Sequence, residues 1–355
     1  MHLVFSLLKM ADKEDKDVSV SSNRKEAVPV VRLSSTISIP IKYLCLILLV
    51  VQTSVNVVML RYSRTSTKPG QPVYVASTAV LMGELVKAIT CYFVLLHESK
   101  GNIKVLHMRI SHELFGNWKD GLKLIVPAGL YVVQNNLLFL ALSNLDAATY
   151  QVTYQLKIFT TAIFYVILLG KRLSLRKWFA LFVLLLGACL VQWPKESAQA
   201  KDLGMSQQVI GLVAVLCACV SSGFAGVYFE KILKGSPITM WIRNIQLAAF
   251  SVVFCIAGIL VNDFNKITTN GFFSGYNPLV VFIIIWGALG GLLIGAVVKY
   301  ADNISKGFAA AVSIVCSSLL SYVFIGDFEP SLIFAMGACC VMVSTYMYSL
   351  PDDPK

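Results

Sequence analysis

Long apolar runs separated by short polar turns dominate the chain. Runs of about 20 apolar residues, enough to cross the hydrocarbon core of a bilayer as a helix, occur at roughly 41–61, 73–96, 122–143, 147–169, 174–193, 207–228, 238–262, 278–299, 304–325 and 330–349. The pattern predicts an all-α polytopic membrane protein with ten transmembrane helices. Only the tight turn Ser143-Asn144-Leu145-Asp146 divides the third span from the fourth. Residues 1–38 read as a disordered tail: polar, mixed in charge and rich in serine beyond Ala11. The apolar run in the first ten residues is too short for a signal-peptide core. The transmembrane domain is expected over 39–350, with 351–355 as a C-terminal tail that carries no prenylation or retrieval signal.

The two halves echo each other. Asn144-Leu145-Asp146-Ala147-Ala148 opens the fourth span and Asn303-Ile304-Ser305-Lys306-Gly307 the ninth. Gly187-Ala188-Cys189 in the fifth span matches Gly337-Ala338-Cys339 in the tenth. These matches relate spans four and five to nine and ten, as a duplication of five helices requires, with repeat one at about 41–193 and repeat two at about 207–349. Five is odd, so the second copy is inverted, an architecture that points to alternating access around a central site. Glycines at 223, 226, 287, 290, 291 and 295 permit close helix approach.

Composition sharpens the class. Of 355 residues, 57% are hydrophobic and 14% charged, with mean hydropathy +0.72. A soluble domain carries about 25% charged residues, so a soluble enzyme, a disordered chain and a fibrous one are all excluded. The net charge of +11 sits in turns rather than on one aromatic-studded face, which argues against nucleic-acid binding. With the N-terminus inside, the opposite loops hold only Arg64, Lys68, Lys195, Lys201 and Lys266, and the other basic loop residues lie with the termini. The positive-inside rule then makes both termini cytosolic. The nine cysteines lie in apolar stretches without a CxxC pair, so neither a disulfide framework nor a metal site is expected.

The chemistry lies inside the spans. Lys157 sits near the middle of the fourth span, where an unpaired ammonium costs at least about 3 kcal/mol. At about 100° per residue, Tyr150, Tyr154, Lys157 and Thr161 share one helix face. Gln134, Asn135 and Asn136 lie midway along the third span. Arg243 and Asn244 open the seventh and Lys299 closes the eighth, places where a basic residue also serves as an interfacial anchor. Glu84 is the one carboxylate expected well inside a span, and Lys87 three residues on is its natural partner. The four histidines fall outside the expected spans. Lysine, arginine, amides and tyrosines suit an anionic cargo with a stackable part. No GxxxxGK[ST], HExxH or GxSxG motif is present, so no catalytic residue, cofactor or ATP site is expected.

Five segments carry a family resemblance. They are Tyr131-Val-Val-Gln-Asn-Asn, Ala141-Leu-Ser-Asn-Leu-Asp-Ala-Ala-Thr-Tyr-Gln-Val-Thr-Tyr-Gln-Leu-Lys157, Gly223-Phe-Ala-Gly-Val-Tyr-Phe-Glu-Lys231, Trp241-Ile-Arg-Asn-Ile-Gln246 and Val297-Val-Lys-Tyr-Ala-Asp-Asn303. Over about Tyr43 to Pro351 the chain resembles the Golgi nucleotide-sugar transporters of the drug/metabolite transporter superfamily. The resemblance implies ten helices in inverted repeats and exchange of a cytosolic nucleotide sugar for a lumenal nucleoside monophosphate in the Golgi membrane, with the endoplasmic reticulum as the other candidate. It implies phosphate-proximal lysines at Lys157 and Lys299 and nucleotide-flanking tyrosines at Tyr150 and Tyr154. It further implies contacts from Asn135 and Asn244, and small residues near the base at Ser221, Ser222 and Gly223. Tyr300-Ala301-Asp302-Asn303 resembles the UDP-sugar members, so UDP-N-acetylglucosamine and UDP-galactose are the expected cargo, with UMP as counter-substrate. Ser305 and Ala310-Ala311 depart from that pattern, where Leu and Thr-Ser are expected. CMP-sialic acid/CMP exchange and proton-coupled export of a small metabolite are the alternatives. The partners expected are cargo and bilayer, with self-association left open.

Overall fold

The computed structural model describes residues 30–32, 38–65, 74–116, 118–193, 205–236, 238–326 and 328–351. Most of the expected N-terminal tail and residues 352–355 lie outside this range. Within it, Val30–Arg32 (β1) pairs antiparallel with Ser38–Pro40 (β2), Val31 opposite Ile39. The rest is helical: α1 Ile41–Thr65, α2 Ala76–Glu98, α3 Ile103–Phe115, α4 Trp118–Leu122, α5 Ile125–Asn144, α6 Ala147–Tyr154, α7 Lys157–Leu169, α8 Leu175–Val191, α9 Met205–Lys234, α10 Met240–Asn262, α11 Phe264–Asn270, α12 Pro278–Tyr300, α13 Asn303–Phe324 and α14 Leu332–Ser349.

Local chemistry sets the boundaries. Asp146, Ser174, Asn277, Asp302 and Ser331 each accept a backbone N–H at a helix start, and Pro278 takes the first turn of α12, where its missing N–H costs nothing. Gly170, at φ +64°, stops α7 in the left-handed conformation that a side chain disfavours. Two elements differ from expectation. The amphipathic α3, started by the Asn102 cap, fills the second loop. The fourth span is interrupted between α6 and α7.

Among the described residues, nine helices are long and apolar enough to cross a membrane, the α4–α5 and α6–α7 stretches each counting once. The span expected at 174–193 is α8, whose 17 residues reach only about 25 Å, short of a core about 30 Å thick. The ten-span reading is compatible with this set. Large apolar side chains such as Phe93, Phe139, Ile167 and Phe324 point outward, 61–75% exposed, as lipid-facing residues do.

The packing of the two halves is symmetric. α5 lies along α9 as α1 lies along α12, α7 along α9 as α1 along α13, and α2 against α12 as α5 against α10. The remaining principal contacts, α2 with α10, α8 with α14 and α7 with α13, pair each helix with its own counterpart. Exchanging the halves therefore reproduces these principal contacts, whereas those of α8 with α13 and of α12 with α9 and α10 have no counterpart of similar extent. The matched glycines make the α8–α14 contact: a Cβ on Gly187 would lie 2.9 Å from the Gly337 carbonyl oxygen, and one on Gly337 2.9 Å from that of Gly187. In lipid, where burial of apolar surface no longer drives association, such backbone approach is a principal source of packing energy.

Candidate functional site

The site is built around the interruption in the fourth span. The amides of Leu156, Ile158 and Phe159 bond to carbonyls three residues back, at 3.1, 3.0 and 3.0 Å, so the helix tightens into a 3₁₀ turn just where Lys157 begins α7. The predicted polar stripe survives this change of pitch. The Tyr150 and Tyr154 rings stack with centroids 6.0 Å apart and planes 13° from parallel. The Lys157 ammonium lies over the Tyr154 ring, 4.0 Å from its centroid. The Tyr154 hydroxyl accepts a hydrogen bond from Gln134 Nε2 at 3.0 Å, tying the fourth span to α5. Gln134 is thus the amide of its triplet that turns inward, whereas Asn135 is exposed and Asn136 donates back to the Val132 carbonyl.

Lys157 lines a cavity of 180 Å³ between α7, α8, α9 and α13, together with Gln155, Thr161, Ser222, Asn303 and Lys306. Two lysines therefore face one space. Among the described residues Lys157 makes no ion pair, and the nearby carboxylate is committed elsewhere. Glu230, fully buried, accepts from Lys234 Nζ at 2.7 Å and from the Asn303 amide at 2.8 Å. Glu230 corrects the expectation that Glu84 is the one carboxylate inside a span. The apolar run ends near residue 228, but α9 continues to Lys234. Lys306 was missed as a site residue because, as the fourth residue of α13, it reads as one more loop cation.

The other candidates lie apart from this cavity. Ser221 neighbours Ser222 on α9, and Gly223 is pressed against α7, where a Cβ would come within 2.8 Å of the Thr160 and Thr161 backbone. Asn244 is buried, donates to the Met240 carbonyl at 2.8 Å, and packs against Gly295 of α12. Lys299, in the last turn of α12, has its ammonium 5.2 Å from the Tyr300 ring centroid. Arg243 is not an interfacial anchor. Fully buried, it donates to Gln246 Oε1 at 2.9 Å, to Ser236 Oγ at 2.7 Å and to the Asp120 carboxylate, fastening α10 to α4. Glu84 and Lys87 form the expected ion pair, at 2.7 Å, and the Lys87 stem lies against Gly291.

A membrane-embedded pair of lysines beside stacked tyrosines is a place for a phosphorylated, ring-bearing ligand, and comparison with known sequences decides which kind. A sequence model of the nucleotide-sugar transporter family matches residues 37–349. The chain belongs to this family. A rat UDP-N-acetylglucosamine transporter is 49% identical over 89% of this chain and 96% of its own length. The UDP-N-acetylglucosamine/UDP-N-acetylgalactosamine transporter nstp-4 of Caenorhabditis elegans is 48% identical over 89% and 94%. A UDP-galactose transporter of Schizosaccharomyces pombe is 44% identical over 89% of each. One solved crystal structure superposes with a TM-score of 0.58 over 85% of this chain and 95% of its own, at 14% identity, a likeness of fold alone. As a nucleotide-sugar transporter the protein moves its substrate and does not transform it.

Proposed function

We propose that this transporter exchanges a cytosolic UDP-sugar, UDP-N-acetylglucosamine foremost and UDP-galactose as a second cargo, for lumenal UMP across the Golgi membrane, with both termini cytosolic. The observation that carries this reading is the pair Lys157 and Lys306, which face one cavity and form no ion pair with a carboxylate among the described residues. Two ammonium groups balance the two negative charges of a sugar-linked diphosphate, so the loaded site is close to neutral and occludes in low dielectric at small cost. Lys299, the other phosphate contact that the family resemblance assigns, lies apart from this pair in the last turn of α12 and meets the phosphates as cargo enters, before the site closes. Tyr150 and Tyr154 offer a stacking face to the uracil, while Ser222, Asn135 and Asn244 supply hydrogen bonds.

Small-molecule sites span about 300–1,000 Å³, so a cavity of 180 Å³ is too small for a nucleotide sugar. Cargo is therefore admitted only when α7 and α13 part, which is how alternating access works around a repeat interface. Uptake of labelled UDP-sugars into proteoliposomes preloaded with UMP or CMP tests the proposal. UDP-sugar uptake that requires internal UMP is expected, and Lys157→Ala should abolish it in protein that still elutes as a folded species. Uptake of CMP-sialic acid against CMP, or uptake driven by a pH gradient alone, would overturn it.

A further inference from the structure

A second, larger cavity of 750 Å³ opens where the ends of α1, α7, α8, α13 and α14 meet. Its mouth carries Lys42, Lys171, Arg172 and Lys177, with Asp302 as the one carboxylate in its lining among the described residues. Asp302 caps α13 through the Ser305 amide at 2.6 Å. Its floor is hydrocarbon: Leu46 and Ile47 of α1, Val312 of α13 and Met342 of α14. Ile47, Met342 and Tyr346 are 57%, 56% and 67% exposed, so the groove opens sideways onto the lipid-facing surface. A soluble anion would satisfy the cations and leave the floor bare, and a neutral lipid would do the reverse.

We propose that this groove is a binding site for an anionic glycerophospholipid. The headgroup phosphate and carboxylate meet Lys171 and Arg172, both exposed and both at the end of α7. One acyl chain lies along α13 between α1 and α14. Basic pockets between helices at a membrane surface bind acidic lipids, each cation near the surface contributing about fivefold in affinity. The site joins the turn after α7 to α13, the two helices that carry Lys157 and Lys306. The proposal does not depend on which nucleotide sugar is carried.

Native mass spectrometry of the purified transporter in mixed micelles of phosphatidylserine and phosphatidylcholine tests it. The wild-type chain is expected to retain phosphatidylserine in preference to phosphatidylcholine. The double variant Lys171→Gln/Arg172→Gln, which alters only exposed side chains, should lose that preference by on the order of 25-fold. Lys266→Gln, at an exposed lysine on the short helix α11, should leave it unchanged. Excess UMP should leave the phosphatidylserine adduct in place. Equal retention of the two lipids, an unaltered double variant, displacement by UMP or equally tight binding of soluble glycerophosphoserine would each overturn the proposal.

Discussion

Arg243 and Asp120 differ in what is left behind when either is removed. The guanidinium is fully buried and the carboxylate side chain is 33% exposed. Asp120→Ala strands a positive charge inside the protein, at a cost of about 3 kcal/mol or more. Arg243→Met leaves a carboxylate that water reaches and that Lys123 still pairs at 2.9 Å, so the loss should be clearly smaller. Thermal unfolding in detergent ranks the two, and an equal or reversed order would refute the burial argument. Lys306→Gln should weaken UMP/UDP-sugar exchange by about tenfold through the lost charged contact. Lys231→Gln, an exposed cation nearby on α9, should leave exchange unaltered. Legibility at this scale follows the cost of the alternatives. Lys157 was readable because a midspan ammonium has few inexpensive explanations, and its tyrosine stripe followed from helical spacing. Arg243, Lys306 and Glu230 were not, because near a span end a charge also fits an anchor or a loop, and only the packing of α4 and α9 shows which groups are buried.

Whole helices are positioned by what a missing side chain allows. At Gly223 an added Cβ meets the α7 backbone at 2.8 Å, and main chain cannot swing aside as a side-chain tip can. Gly223→Ala should therefore push α9 from α7, costing about 1–3 kcal/mol and raising KM for exchange by displacing Lys157. Gly258→Ala meets nothing within 4 Å and should be silent in both measurements. The all-helical membrane class and the glycine matches at 187 and 337 could be read from hydropathy and spacing, since both depend on patterns along the chain. The 3₁₀ turn before Lys157 could not, because Tyr154-Gln155-Leu156-Lys157 contains neither glycine nor proline to announce it. Helix α3 escaped for a related reason, being shorter and more polar than any span.

For the molecule as a whole, the principal packing is shared by the two halves, but the contacts of α8 with α13 and of α12 with α9 and α10 are made more closely on one side, so a second arrangement in which the other half makes them is open to it. What separates the two arrangements energetically is the state of the central charges. With cargo bound, the lysines at the cavity are compensated and the conversion moves little net charge through low dielectric. Empty, the protein must carry the unpaired ammonium of Lys157 through the same closure, where each uncompensated charge costs several kcal/mol. In the proposed exchange, return of the empty transporter is then the slow step, and coupling of the two fluxes would follow from electrostatics. If this is the origin of exchange, removing the charges should weaken cargo affinity and the coupling together. Lys157→Gln/Lys306→Gln proteoliposomes should take up UDP-sugar slowly, but with a ratio of UMP-loaded to unloaded uptake close to one, against a large ratio for the wild-type chain. A double variant that keeps the wild-type ratio at reduced rate would place the coupling in the helix packing and not in the lysines.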